Sequence, residues 1–128
     1  MDLTKIKEEG RNLLIFGPPG SGKTTLAQGI ANQYNKDEVA WMQAKDLATV
    51  NSFEYTNKIK LVIIEEADGL LDIDPGTILP EVLEVMNNSQ VIQITQEWRF
   101  MQRFLELEED MQGFVDLVLD ARLIPYLV

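Results

Sequence analysis

The chain has 128 residues and a net charge of -10, with no Cys and no His. That length predicts one domain, residues 1–128, large enough to bury a core without disulfides or structural metals. The missing residue types exclude thiolate and imidazole catalysis and the usual zinc ligands, leaving carboxylates, Lys, Arg, hydroxyls, backbone amides or a bound ion. The charge is uneven. Residues 1–64 carry eight Lys or Arg against seven acids, whereas residues 65–128 carry three Arg against fourteen acids. An acidic half repels phosphate backbones, so net charge argues against tight non-specific DNA binding. A local basic patch or a ring-shaped assembly would still allow DNA contact. The opening "MDLTKIKEEG" lacks a signal-peptide apolar run, and no apolar stretch approaches 18 residues, so the expectation is a cytoplasmic protein with no membrane partner.

In chain order, "NLLIFG" (12–17) is a short apolar run closed by Gly, as a fully buried strand requires. Leu26, Ala27, Ile30, Ala31 and Tyr34 then recur at helical spacing, with Asn35 as the expected stop. "EVAWMQ" (38–43) reads as a second strand and "AKDLATV" as a short helix. "KLVIIEE" is a third strand, apolar on both faces. Asp74 and Pro75 suit the cap and first position of a helix running to about Met86. "QVIQIT" (90–95) is a fourth strand, a helix is expected near 97–110, and "FVDLVLD" (114–120) is a fifth strand. Apolar strands alternating with helices predict an α/β fold, a parallel sheet covered on both faces.

"GPPGSGKT" (17–24) matches G-x-x-x-x-G-K-[ST] through Gly17, Gly22, Lys23 and Thr24. The pattern has chance matches, but a strand before it and an amphipathic helix after it are the context it needs. Glycines let successive N–H groups curl around a phosphate, and the helix N-terminus adds partial positive charge. Lys23 would reach the outer phosphates and the Thr24 hydroxyl would ligate Mg²⁺, the ion suited to hard oxygen ligands. A plain strand-to-helix turn would explain Gly17 and Pro18 but not a Lys and a hydroxyl at the helix start.

"LVIIEEAD" (61–68) runs an apolar strand into paired acids. Functional groups collect at the C-terminal ends of parallel strands, which would bring Glu65 and Glu66 near the phosphates. Adjacent strand residues face opposite sides, so one acid could address a metal and the other a water. The alternative is a strand that simply ends in solvated acids.

Taken in this order, the phosphate loop, "LVIIEE" and "QVIQIT" resemble the P-loop ATPases with an additional strand and a catalytic glutamate. Within these the chain is most similar to the AAA+ branch, and "VAWMQAKDLA" is similar to helicase-loader and transposition-associated ATPases. The resemblance covers roughly residues 11–124. It implies a three-layer P-loop NTPase fold with five mostly parallel strands in the order 5-1-4-3-2. It also implies that Gly17, Pro18, Pro19, Gly20, Ser21, Gly22, Lys23, Thr24 and Thr25 cradle ATP. Glu65 would stand at the Walker B metal position with Thr24, and Glu66 at that of the water-polarising glutamate. Thr95 or Gln96 would stand near the polar sensor of the γ-phosphate, and Arg99 or Arg103 would be candidates for an arginine finger acting across a homo-oligomer. Ion pairing on a helix surface is the alternative for both arginines.

Two departures follow. Eight residues beyond "FVDLVLD" leave no room for the helical lid that accompanies such domains, and Arg122 cannot take the lid's role. Glu65 is one methylene longer than the usual Asp, and a shift of about 1 Å can cost ~10²-fold in rate. The expectation is an ATPase with slow or partner-dependent, Mg²⁺-dependent turnover, serving helicase loading, replication or transposition beside a helicase, transposase or replication protein. Its alternative is a nucleotide-gated interaction module with little turnover. A small nucleotide kinase fits less well, having no need of the second adjacent acid.

Overall fold

The computed structural model describes residues 3–44, 58–67, 80–96 and 117–121. Helix α1 (Leu3–Glu9) leads into β1 (Leu13–Phe16), followed by α2 (Lys23–Ala31), a 3-10 turn (Lys36–Glu38) and β2 (Val39–Gln43). Then come β3 (Leu61–Glu65), α3 (Pro80–Asn87), β4 (Gln90–Thr95) and β5 (Leu117–Asp120). The five strands form one sheet in the order β2-β3-β4-β1-β5, every pairing parallel. Read from the other edge, this is the expected 5-1-4-3-2.

Burial explains why the apolar runs become central strands. Leu13, Leu14 and Ile15 of β1 and Leu61 through Ile64 of β3 are wholly buried, which requires cover on both faces. One face packs Leu13, Ile15, Leu61, Ile63, Ile92 and Ile94 against Leu26, Ala27, Ile30 and Ala31 of α2 and Ile6 of α1. Each of these Leu and Ile side chains contributes about 1.5–3 kcal/mol of hydrophobic stabilisation. The step from β1 outward to β2 and the return from β3 to β4 run in opposite directions across the sheet. Right-handed crossovers therefore put α2 and α3 on opposite faces, and the buried Met86 of α3 lies outside the α2 cluster.

The N-terminal edge of the sheet is closed by polar contacts. Tyr34 Oη donates to Gln90 Oε1 at 2.8 Å, Gln90 Nε2 donates to Arg11 O at 2.7 Å, and Val91 N donates to Asn12 Oδ1 at 2.8 Å. The Lys7 ammonium lies 4.6 Å from the Tyr34 ring centre, a cation–π contact that fastens α1 to the end of α2.

Several expectations need correction. Helix α2 stops at Ala31, not near Asn35, because Gln33 N and Tyr34 N bond three residues back to Ile30 O and Ala31 O and tighten the end. Asn35 instead opens the 3-10 turn, with its N–H donating to Glu38 Oε1 at 2.8 Å. That capping takes Glu38 out of β2. Helix α1 was not expected at all. The short helix expected after β2, the start expected at Asp74 and Pro75, the helix near 97–110, and residues 114–116 of the fifth strand lie outside the described residues. Among the described residues, no helix is long and apolar enough to cross a membrane.

Candidate functional site: the loop after β1 and the end of β3

Register brings the site together. Phe16 at the end of β1 pairs with Thr95 at the end of β4, and Gln43 of β2 pairs with Glu65 of β3. The strand ends are level, with β3 two places from β1, roughly 10 Å across. The loop leaving β1 is anchored to β4 by Gly17 N donating to Thr95 O at 3.3 Å.

Two glycines set the shape of that loop. A Cβ on Gly17 would stand 2.6 Å from Ser21 Oγ and 3.4 Å from Ala121 Cβ, so the loop closes on itself only without one. Gly22, the cap of α2, has φ 92°, a left-handed conformation that a side chain opposes even though space is open there. The next residue, Lys23, opens the helix with its side chain curled back into the loop. Its Nζ donates to Gly17 O at 2.7 Å and Pro18 O at 2.9 Å. An ammonium has three donors, so two fix its position and one is left for an anion. Burial pulls the Lys23 pKa below the ordinary lysine value. A negative group alongside would act in the opposite direction.

The helix then presents Thr24, whose Oγ1 donates to Glu65 Oε1 at 3.3 Å. This is longer than the 2.7–2.8 Å typical of O–H···O bonds, so the two groups meet loosely. Two oxygens bound side by side to one Mg²⁺ at about 2.1 Å would lie roughly 3 Å apart. The pair therefore fits a magnesium ion as a set of hard oxygen donors. Among the described residues no cluster of three carboxylates, His or Cys could hold a metal, so water and phosphate oxygens would complete the shell, as is usual for this ion.

Pro19, Gly20, Lys23, Thr24, Glu65, Glu66, Thr95 and Gln96 line one cleft of about 280 Å³. Its volume is near the lower end of the range for ligand pockets, about 300–1,000 Å³. Ile94 also lines it, an apolar position that no motif marks. Gly17, Pro18, Ser21 and Gly22 belong to the loop without lining the cleft, and Thr25 is exposed on α2. The Ser21 hydroxyl is buried, without a hydrogen-bond partner among the described residues. Arg99, Arg103 and Arg122 lie outside the described residues.

Glu66 departs from the strand alternation expected for it. β3 ends at Glu65, and Glu66 has φ 52°. A left-handed non-glycine residue costs of order 1–3 kcal/mol and persists where surrounding structure imposes it. The exposed Glu66 therefore owes its place in the cleft to a turn rather than to opposite-face alternation. No sequence signal marks this torsion.

The family model described as Novel STAND NTPase 3 matches residues 2–75, more than half of the chain, including the loop and both acids. The chain belongs to this family. Its STAND NTPase core is a P-loop, AAA+-like domain, and the replication factor C large subunits are among its relatives. That of Methanococcus vannielii is 36% identical over 88 residues, covering 61% of this chain and 18% of that protein. That of Sulfurisphaera tokodaii is 32% identical over 98 residues, covering 67% of this chain and 22% of that protein. The STAND NTPase chain thus spans about a fifth of the length of these relatives. Its fold is similar to the Aeropyrum pernix ORC2 protein, solved as ADPNP–ADP complexes, with TM-score 0.56, 13% identity, and 92% of this chain and 44% of that chain covered.

Proposed function

We propose that this domain, acting as one unit over residues 1–128, binds ATP with Mg²⁺ and hydrolyses it slowly or on stimulation by a partner. The observation that carries this reading is the meeting of Lys23 and Thr24 with Glu65 and Glu66 in a single cleft, with Thr24 and Glu65 in contact. In this reading the loop N–H groups and Lys23 hold the phosphates, and the cleft's modest volume suits the phosphate end of a nucleotide. Thr24 and Glu65 would hold Mg²⁺, which would supply charge neutralisation on the phosphate oxygens. Glu66 orients and polarises the attacking water, while Thr95 and Gln96 touch the outer phosphate. Slow turnover follows from a Glu66 set by a turn instead of a strand. That feature also favours the alternative, a nucleotide-gated interaction module with little turnover.

The relatives' names point to DNA replication as the process; in this reading the partner is a helicase, transposase or replication protein. In this reading the penalty expected from Glu65's extra methylene is reversed: the longer side chain is what brings its carboxylate to Thr24. Glu65 reaches Thr24 only at 3.3 Å, and removing a methylene withdraws the carboxylate by about 1 Å, a displacement worth up to ~10² in rate. Steady-state phosphate release from Glu65→Asp is expected to fall about tenfold below wild type; an increase would mean that the longer acid impairs the site. We further infer a homo-oligomer with shared sites, in which Arg99 or Arg103 serves a neighbouring subunit. Mixing Arg99→Ala or Arg103→Ala subunits with Lys23→Ala subunits should then restore activity that neither has alone, and a mixture as inactive as its components would refute it.

A further inference from the structure

Two buried glutamines on β4 have opposite circumstances. The Gln90 amide is satisfied by Tyr34 Oη, Arg11 O and, at 3.4 Å, Ile6 O. Gln93, at 0% exposure, has no hydrogen-bond partner for either Nε2 or Oε1 among the described residues. Such a group calls for an explanation, because an apolar side chain of similar volume would avoid its desolvation cost.

Its surroundings narrow the possibilities. Register sets Gln93 between Leu14 and Ile64, and alternation puts it on the sheet face away from α2, together with Val91 and Thr95. Among these strand and register neighbours, Thr95 is the one polar side chain, and Thr95 lines the cleft. Residues two apart on a strand are separated by roughly 6.8 Å. The reach of a glutamine side chain and one water, with hydrogen bonds of about 2.9 Å, spans that gap. A buried water needs two to four polar partners, and the Gln93 amide and the Thr95 hydroxyl provide them.

We propose that Gln93 is a positioning residue for the outer-phosphate end of the cleft, holding the Thr95 hydroxyl through a buried water in the orientation that reads a γ-phosphate. This rests on the ATP reading of the cleft. It gives the unpaired amide a role in discriminating ATP from ADP, with no direct contact to nucleotide.

The test titrates ADP and a non-hydrolysable ATP analogue, with Mg²⁺, into the whole chain as wild type, Gln93→Met, Thr95→Val and the double variant. Gln93→Met and Thr95→Val should each reduce the preference for the ATP analogue about fivefold, and the double variant should lose no more than Thr95→Val alone, as for residues acting as one unit. ADP affinity should stay within about twofold, and the melting temperature of Gln93→Met should equal or exceed that of wild type. A purely structural amide would lower the melting temperature on substitution and leave the preference unchanged; an unchanged preference, or losses that multiply in the double variant, overturns the proposal. Should Gln93→Met not fold, a crystal structure of the wild type decides: a water bonded to both side chains supports the proposal, and its absence overturns it. ATP binding that survives Lys23→Ala unchanged is a different failure, that of the ATP-site reading itself.

Discussion

Lys23→Ala is expected to weaken ATP binding by about 10²-fold and to leave no measurable turnover. The side chain has two tasks. It ties the loop together through Gly17 O and Pro18 O, and its remaining N–H carries positive charge to the phosphates. A hydrogen bond to a charged group contributes about 1.5–3 kcal/mol, a factor of roughly 10–150 in affinity. The two carbonyls lose a partner, but the neighbouring Pro18 is exposed, so water can replace the ammonium there and the fold should survive. Calorimetric titration checks the affinity, and a circular dichroism melt within about 5 °C of wild type checks that the fold is intact. Unchanged affinity in a folded Lys23→Ala variant would remove the loop from the site.

Glu66→Gln should show the complementary pattern, with ATP affinity within about threefold of wild type and phosphate release reduced by about 10²–10³. The amide is nearly isosteric and can still occupy the turn at φ 52°, but it cannot accept a proton from water as a carboxylate does. General-base catalysis contributes about 10²–10⁴, and the lower part of that range suits a residue set by a turn. Single-turnover phosphate release separates this loss from slow product release. If Glu66→Gln turns over like wild type, Glu66 is not the base and the interaction-module reading gains.

The parts of this fold legible in the sequence are those where one pattern leaves few alternatives. "QVIQIT" is β4 over its full predicted span, and "LVII" is wholly buried in β3, because short, mainly apolar and β-branched runs bounded by turn residues suit strands covered on both faces. The parallel order followed from the family resemblance and agrees with the pairings. Other features depended on competition between local contacts. Tyr34 continues the helical spacing of α2, yet its side chain is drawn to Gln90, 56 residues away, and periodicity carries no information about that partner. Seven residues with two apolar positions are too few for α1 to stand out, and its docking to Tyr34 and Gln33 through Lys7 is tertiary.

The site divides in the same way. Lys23, Thr24 and Glu65 could be brought together on paper because loop, helix start and strand end are each local and the parallel sheet aligns them. The left-handed torsion at Glu66 could not be read, since Glu has no preference for it. Gln93 was equally silent: within "QVIQIT" it reads as one more strand residue, and only three-dimensional burial shows an amide without a partner among the described residues.

Whether the loop after β1 and the end of β3 make one nucleotide–metal site is decided by the Mg²⁺ dependence of ATP affinity in wild type and Glu65→Gln, measured by calorimetry. Mg²⁺ should tighten ATP binding to wild type by about tenfold or more and to Glu65→Gln by no more than about twofold, consistent with the 10–100-fold losses that accompany removal of groups supporting a metal. Equal Mg²⁺ dependence in the two proteins, or no ATP binding by wild type, would contradict a single site.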